Sequence, residues 1–242
     1  VIAMLHVPAL PGAPQNQRSM HQILEEVAAE AEMYLQHDVD ALLLENMHDV
    51  PYLNRCVGPE IVAAMTAVSR EIRQMAKLPC GVQILAGANK EALAVALAAE
   101  LEFIRAEGFV FAHAADEGLM ESDAGALLRY RKQIGAEHIR IFTDIKKKHS
   151  AHALTADVSL AETARAAQFF LSDGLIITGK TTGEAPIAHD FAEAQKAVSL
   201  PILAGSGITA ENLESVLPYI DGAIVGSYFK KDGYWANPLD VS

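Results

Sequence analysis

Along the chain, short apolar runs of four to six residues alternate with longer amphipathic stretches, the rhythm of repeated βα units around a parallel sheet. The strand candidates are IAMLH from Ile2, ALLLEN from Ala41, GVQIL from Gly81, EFIRAE from Glu102, IRIFTD from Ile139, GLIIT from Gly174, PILAG from Pro201 and GAIVG from Gly222. Helix candidates begin near Met20, Pro59, Asn89, Asp123, Ser159, His189 and Thr209, with no clear eighth. Runs such as Leu42 to Leu44 and Leu175 to Ile177 are apolar without alternation, as strands buried on both faces require. An antiparallel sandwich would alternate. A doubly wound open sheet is the rival, but the loop after its first strand would carry G-x-G-x-x-G, whereas here it reads HVPALPGAP. The pattern predicts an α/β fold, a single (β/α)8 TIM barrel of eight parallel strands with outer helices, spanning residues 1–242 as one domain.

Composition narrows the functions open to such a chain. Its 242 residues are close to the roughly 250 typical of one barrel, and 51% are apolar, enough for a large aliphatic core. A formal net charge of -12 argues against a nucleic-acid partner, which needs clustered cations. No apolar run approaches the roughly 18 residues of a membrane span, which leaves only peripheral membrane association. Cys56 and Cys80 lack Cys-x-x-Cys spacing and read as reduced and buried. The opening VIAMLH reads as strand and carries no signal sequence, so the expected location is cytoplasmic unless a leader has been removed. The sequence leaves cofactors unknown and a homo-oligomer open.

In a barrel of this class the site is built from βα loops, so polar residues at strand ends carry the chemistry. They are His6, Glu45 with Asn46, Gln83, Arg105 with Glu107, Asp144 with Lys146 and Lys148, and Thr178 with Lys180. Charged groups inside an aliphatic barrel are costly unless paired or wetted. The repetition therefore marks either a polar pocket or ion pairs closing the core. Glu45, Asp144, Lys148 and Lys180 are the catalytic candidates, handling protons or charge. The run TDIKKKHSAH puts Lys146 and Lys148 beyond Asp144 with strand parity. It reads as a solvated loop, an anion attractor or a Schiff-base site. His149 and His152 lack a third ligand, so no metal site is expected. HAADEG, from His113 to Gly118, is either an acid-base cluster or a polar loop.

Two glycine turns give the sharpest local signal. PILAGSGIT passes through Gly205, Ser206 and Gly207 into a helix that Thr209 could cap, and GAIVGS ends at Gly226 and Ser227. Glycine backbone donors after the seventh and eighth strands match the usual phosphate position of this fold. GLIITGKT, from Gly174 to Thr181, has the letters of a P-loop, but Leu175 to Ile177 belong to a strand rather than a loop. Nucleotide binding by that route is not expected.

The opening MLHVPALPGAP, LLLEN followed by MHDVPY, the Asp144 and Lys148-His149 spacing, GLIITGKTTGEAP, PILAGSGIT and GAIVGSYFK together resemble the BtpA family over essentially the whole chain. That resemblance implies a barrel related to phosphosugar and tryptophan-pathway enzymes. For some members it implies a peripheral membrane role in stabilising photosystem I. A more neutral residue such as Asn is expected where Glu107 stands. Two functions compete: an isomerase or lyase acting on a small phosphorylated metabolite, and a non-catalytic assembly or stability factor retaining an anion site.

Overall fold

The computed structural model describes residues 1–147, 149–179 and 188–240. In chain order its elements are β1 (Ile2–His6), α1 (Met20–Leu35), β2 (Ala41–Glu45), α2 (Pro59–Met75), β3 (Cys80–Gln83), α3 (Asn89–Ala99), β4 (Phe103–Ala106), β5 (His113–Ala115), β6 (Gly118–Met120), α4 (Ala124–Gln133), β7 (Arg140–Ile145), β8 (Ser150–Ala151), α5 (Leu160–Phe169), β9 (Gly174–Ile177), α6 (Ala188–Ala197), β10 (Ile202–Ala204), α7 (Ala210–Val216) and β11 (Gly222–Val225). The strands predicted from sequence are β1, β2, β3, β4, β7, β9, β10 and β11. They close into a barrel in the order β1-β11-β10-β9-β7-β4-β3-β2. Beyond β11 the described chain forms 3-10 turns at Ser227–Phe229 and Lys231–Gly233.

Helix starts follow local chemistry. Ser19 and Gln22 form a reciprocal capping box at α1, and Ser159 and Glu162 do so at α5, each meeting amide donors that the first turn leaves orphaned, while Pro59 opens α2 where its missing N–H costs no helical bond.

The chain divides into two compact units, one of Val1–Arg105 with Arg129–Arg140 and one of Ala106–Leu128 with the chain from Ile141 onward. In the first unit, β1, β2 and β3 pair in parallel so that His6, Glu45 and Gln83 share one register level at the strand ends. Leu42, Leu43 and Leu44 are fully buried, as their unbroken apolar run predicts.

In the second unit, Ile145, Leu175, Ile177, Ile202, Ala204, Ala223 and Val225 pack with Ala164, Ala167, Phe191, Ala194 and Val216 of the helices. Side chains alternate along a strand. Asp144 therefore lies on the opposite side of the sheet from that helix-packed core. A second sheet, β6-β5-β8, is antiparallel and was not foreseen.

Each unit also contains a strand glycine set closely against a neighbouring phenylalanine ring. Phe103 of β4 lies beside Gly81 of β3, and Phe142 of β7 beside Gly174 of β9. A Cβ would fall 2.2 Å from the Phe103 ring at Gly81, and 2.4 Å from the Phe142 ring at Gly174.

Candidate functional site

In the first unit the polar strand ends are engaged with one another. The Nε2 atom of His6 is 3.8 Å from Oε2 of Glu45, with only 5% and 8% of the two side chains exposed. One residue on, Asn46 donates from Nδ2 to Asp49 (2.9 Å) and accepts on Oδ1 from the Leu85 amide (2.8 Å). Asp49 accepts the Leu10 amide at 2.7 Å. Asn46 and Asp49 thus tie together the loops after β1, β2 and β3, and both are buried. Burial raises the Asp49 pKa above its ordinary 3.8, against the lowering effect of the Leu10 amide and Asn46. Glu45 sits at the base of this clamp, and its own carbonyl accepts the Val7 amide at 2.8 Å.

The loops after β4 and β7, both in the second unit, build a different arrangement. HAADEG forms a hairpin, with Asp116 and Glu117 as the turn between β5 and β6 and Gly118 at φ +106°. Strand β8 adds to it through Ala114↔Ala151 and Ala115↔Ser150. Beneath lies a cavity of about 20 Å³ lined by Gly108, His113, Asp144, Lys146, Lys147 and His152 among others. It has room for about one water. The Nζ atom of Lys147 is 3.1 Å from Oε2 of Glu107, with side-chain exposures of 10% and 8%. His113 and His152 lie with ring centroids 5.5 Å apart, and Nε2 of His152 is 3.0 Å from the Lys147 carbonyl. Among the described residues no three His, Cys, Asp or Glu side chains gather to hold a metal.

The parity argument for Lys146 does not hold in this loop. β7 ends at Ile145, and Lys146 adopts φ +49°, which breaks the strand alternation. Lys146 donates to the Thr155 carbonyl (2.8 Å), and burial lowers its pKa, opposed by Asp157 and Glu162. Lys147, not singled out from sequence, reaches Glu107. The overlooked signal is Glu107 itself, since a carboxylate among buried residues requires a cation. Lys148 and Lys180, with the TTGEAP stretch, lie outside the described residues. Of the P-loop letters, Leu175 to Ile177 are strand β9 and buried, as expected.

The glycine turns divide by role. The Gly205 amide donates to Ile177 at 2.8 Å. A Cβ there would come within 2.4 Å of Ile176, so Gly205 permits close strand approach. Ser206 is buried and accepts the Gly179 amide at 3.3 Å. Gly207 (φ +67°), Gly226 and Ser227 instead border one cavity of about 220 Å³, together with Ile208, Thr209, Ile224, Val225, Tyr228 and Gly233. Asn212, not singled out from sequence, braces this rim. It donates to the Gly207 carbonyl (2.7 Å) and accepts the Thr209 amide (3.0 Å).

The cysteines differ from expectation: Cys80 is buried but Cys56 is exposed. Burial, with a smaller contribution from Glu102, pushes the Cys80 thiol up to about 12. Cys56 lies in the loop after β2, where the sequence offers no periodicity from which burial could be read.

Comparison with known proteins fits this architecture. The chain is 49% identical over 246 residues to an uncharacterised mitochondrial protein of Caenorhabditis elegans, covering 99% of this chain and 88% of that protein. It is 36% identical over 233 residues to an uncharacterised protein of Archaeoglobus fulgidus, covering 96% of this chain and 92% of that one. It is 30% identical over 241 residues to the photosystem I biogenesis protein BtpA of Synechocystis, covering 99% of this chain and 83% of that one. Among solved structures, phosphoribosyl anthranilate isomerase from Thermus thermophilus superposes with a TM-score of 0.54 at 15% identity, covering 97% of this chain and 92% of that one, a likeness of fold alone. Among the described residues no helix is long and apolar enough to cross a membrane. The BtpA family model matches residues 1–242, and the chain belongs to the BtpA family.

Proposed function

We propose that this protein is an enzyme that binds a small phosphorylated metabolite at the turns after β10 and β11. The observation that carries the reading is the single cavity bordered by Gly207 on one side and Gly226 with Ser227 on the other. Turns after the last two barrel strands, followed by a short 3-10 helix, are where phosphate is commonly held in this architecture. Gly205 and Ser206 support that rim from behind. Asp144 is the candidate base, and the Lys147 ammonium, steadied by Glu107, is suited to offset negative charge developing on a substrate oxygen. That pairing suits isomerisation or carbon–carbon lysis next to a carbonyl. The mitochondrial name of the worm relative favours an organelle interior over the cytoplasm as one site of action.

The test is a thermal-shift titration with inorganic phosphate and sugar phosphates, since a ligand of the folded state raises the melting temperature. Ser227→Asp should abolish the response while leaving the unliganded melting temperature unchanged. Like-charge repulsion at about 4 Å is worth about 1 kcal/mol in water and about four times that at an effective dielectric near 20. Equal phosphate response in the variant would overturn the assignment.

A second reading, an assembly factor retaining the anion site, draws on the Synechocystis relative, a photosystem I biogenesis protein by name. It also draws on the consecutive exposure of Phe169 (81%), Phe170 and Leu171 at the end of α5, an apolar surface unusual for a monomer. Turnover of any phosphorylated carbonyl compound, lost on Asp144→Asn, decides for the enzyme.

A further inference from the structure

We infer that the cavity beside the two glycine turns takes an aryl phosphate, a phosphoryl group carrying one flat ring, in preference to a polyhydroxylated sugar phosphate. The inference rests on the phosphate reading above and narrows its ligand. Three observations support it.

The first is wall chemistry. Beyond the glycines, the lining consists of Ile208, Ile224 and Val225 with the ring of Tyr228, and its polar side-chain groups among the described residues are the hydroxyls of Thr209, Ser227 and Tyr228. A sugar placed there would press several hydroxyls against aliphatic surface with too few partners, and a buried hydroxyl without a hydrogen bond weakens binding. A ring leaves nothing unsatisfied.

The second is size. The cavity measures about 220 Å³. An apolar cavity of about 150 Å³ is enough for benzene, so the space admits one ring and leaves room for a phosphoryl group.

The third is an aromatic surface in the right place. Tyr228 directly follows Ser227, packs on Phe229 with ring centroids 5.9 Å apart, and is still 43% exposed, so it has surface left for a ligand ring. Gly233, also in the lining, contributes no side chain, and a Cβ built there would meet nothing within 4 Å.

The experiment is calorimetric titration of the intact chain with inorganic phosphate, glycerol phosphate and phenyl phosphate. It is repeated in Tyr228→Ala and Tyr228→Phe. Phenyl phosphate should bind at least about tenfold more tightly than glycerol phosphate, an advantage that Tyr228→Phe keeps and Tyr228→Ala loses, with inorganic phosphate equal in all three proteins. If inorganic phosphate binds but phenyl phosphate is no better than glycerol phosphate, or if Tyr228→Ala keeps the full advantage, the aryl inference is wrong and the phosphate reading stands. If none of the three binds, the phosphate reading itself falls.

Discussion

The strand ends of the two units carry similar residue types and use them differently. In the first unit, Asn46 and Asp49 bind each other and the amides of Leu10 and Leu85, so their hydrogen-bonding capacity goes into joining three loops. In the second, Glu107 and Lys147 form an ion pair at the edge of a cavity that also exposes Asp144, and the glycine turns border a larger one. Among the described groups, those of Asn46 and Asp49 bind one another, whereas Asp144, Lys147 and the glycine turns line cavities.

Three measurements would break or sharpen that contrast. The largest effect is expected from Lys147→Met, which leaves Glu107 buried without its cation. Losing one partner of a buried pair costs about 3–5 kcal/mol. Chemical denaturation should show that loss, and adding Glu107→Gln should recover most of it. A single variant as stable as the parent would mean that the pair is effectively solvated, and the two units would no longer differ in kind.

A smaller loss is expected from Asn46→Ala. It strips the Leu85 amide and the Asp49 carboxylate of a buried partner, worth about 1–3 kcal/mol, and it should leave the phosphate response intact. Loss of that response at unchanged stability would place Asn46 in the binding machinery.

The smallest effect concerns pH. Because burial raises the Asp49 pKa in the folded protein, the native state holds that proton more tightly than the unfolded chain does. Its contribution is fully present below about the ordinary 3.8 and is lost as pH rises through the raised folded value. The stability difference between parent and Asp49→Ala, followed by urea unfolding from acid to neutral pH, should shrink as pH rises. A difference that grows instead would show that the Leu10 amide and Asn46 outweigh burial.

The barrel was legible because its strands are short apolar runs and its helices carry plain caps, both of which are local properties. The glycine turns after β10 and β11 were legible as turns for the same reason, since glycines after two strands are a local signal. What escaped depends on contacts distant in sequence or on a single backbone torsion. That Lys146 turns to Thr155 while Lys147 pairs with Glu107 goes with the positive φ at Lys146, which no periodicity reports. The Asn46 bond to Leu85 spans 39 residues, and the β6-β5-β8 sheet joins two loops whose strands are only two or three residues long. Glu107 was noticed as a departure from the family resemblance without its partner being found. Lys147, forty residues further on, is an ion-pair partner of that carboxylate.

The phenylalanines set against Gly81 and Gly174 bear on how the strands find their pairing. A slip of one residue would turn every side chain of a strand to the wrong face. A slip of two preserves the faces and is the harder error to prevent. Such a slip would bring Phe142 opposite Ser172 or Ile176, and Phe103 opposite Pro79 or Gln83, where a Cβ already occupies the ring's place. Each missing side chain thus acts as a positional key that admits its ring at one alignment. There is one such key in each unit, so the β3–β4 and β7–β9 pairings are each checked independently of the hydrophobic pattern that drives the collapse.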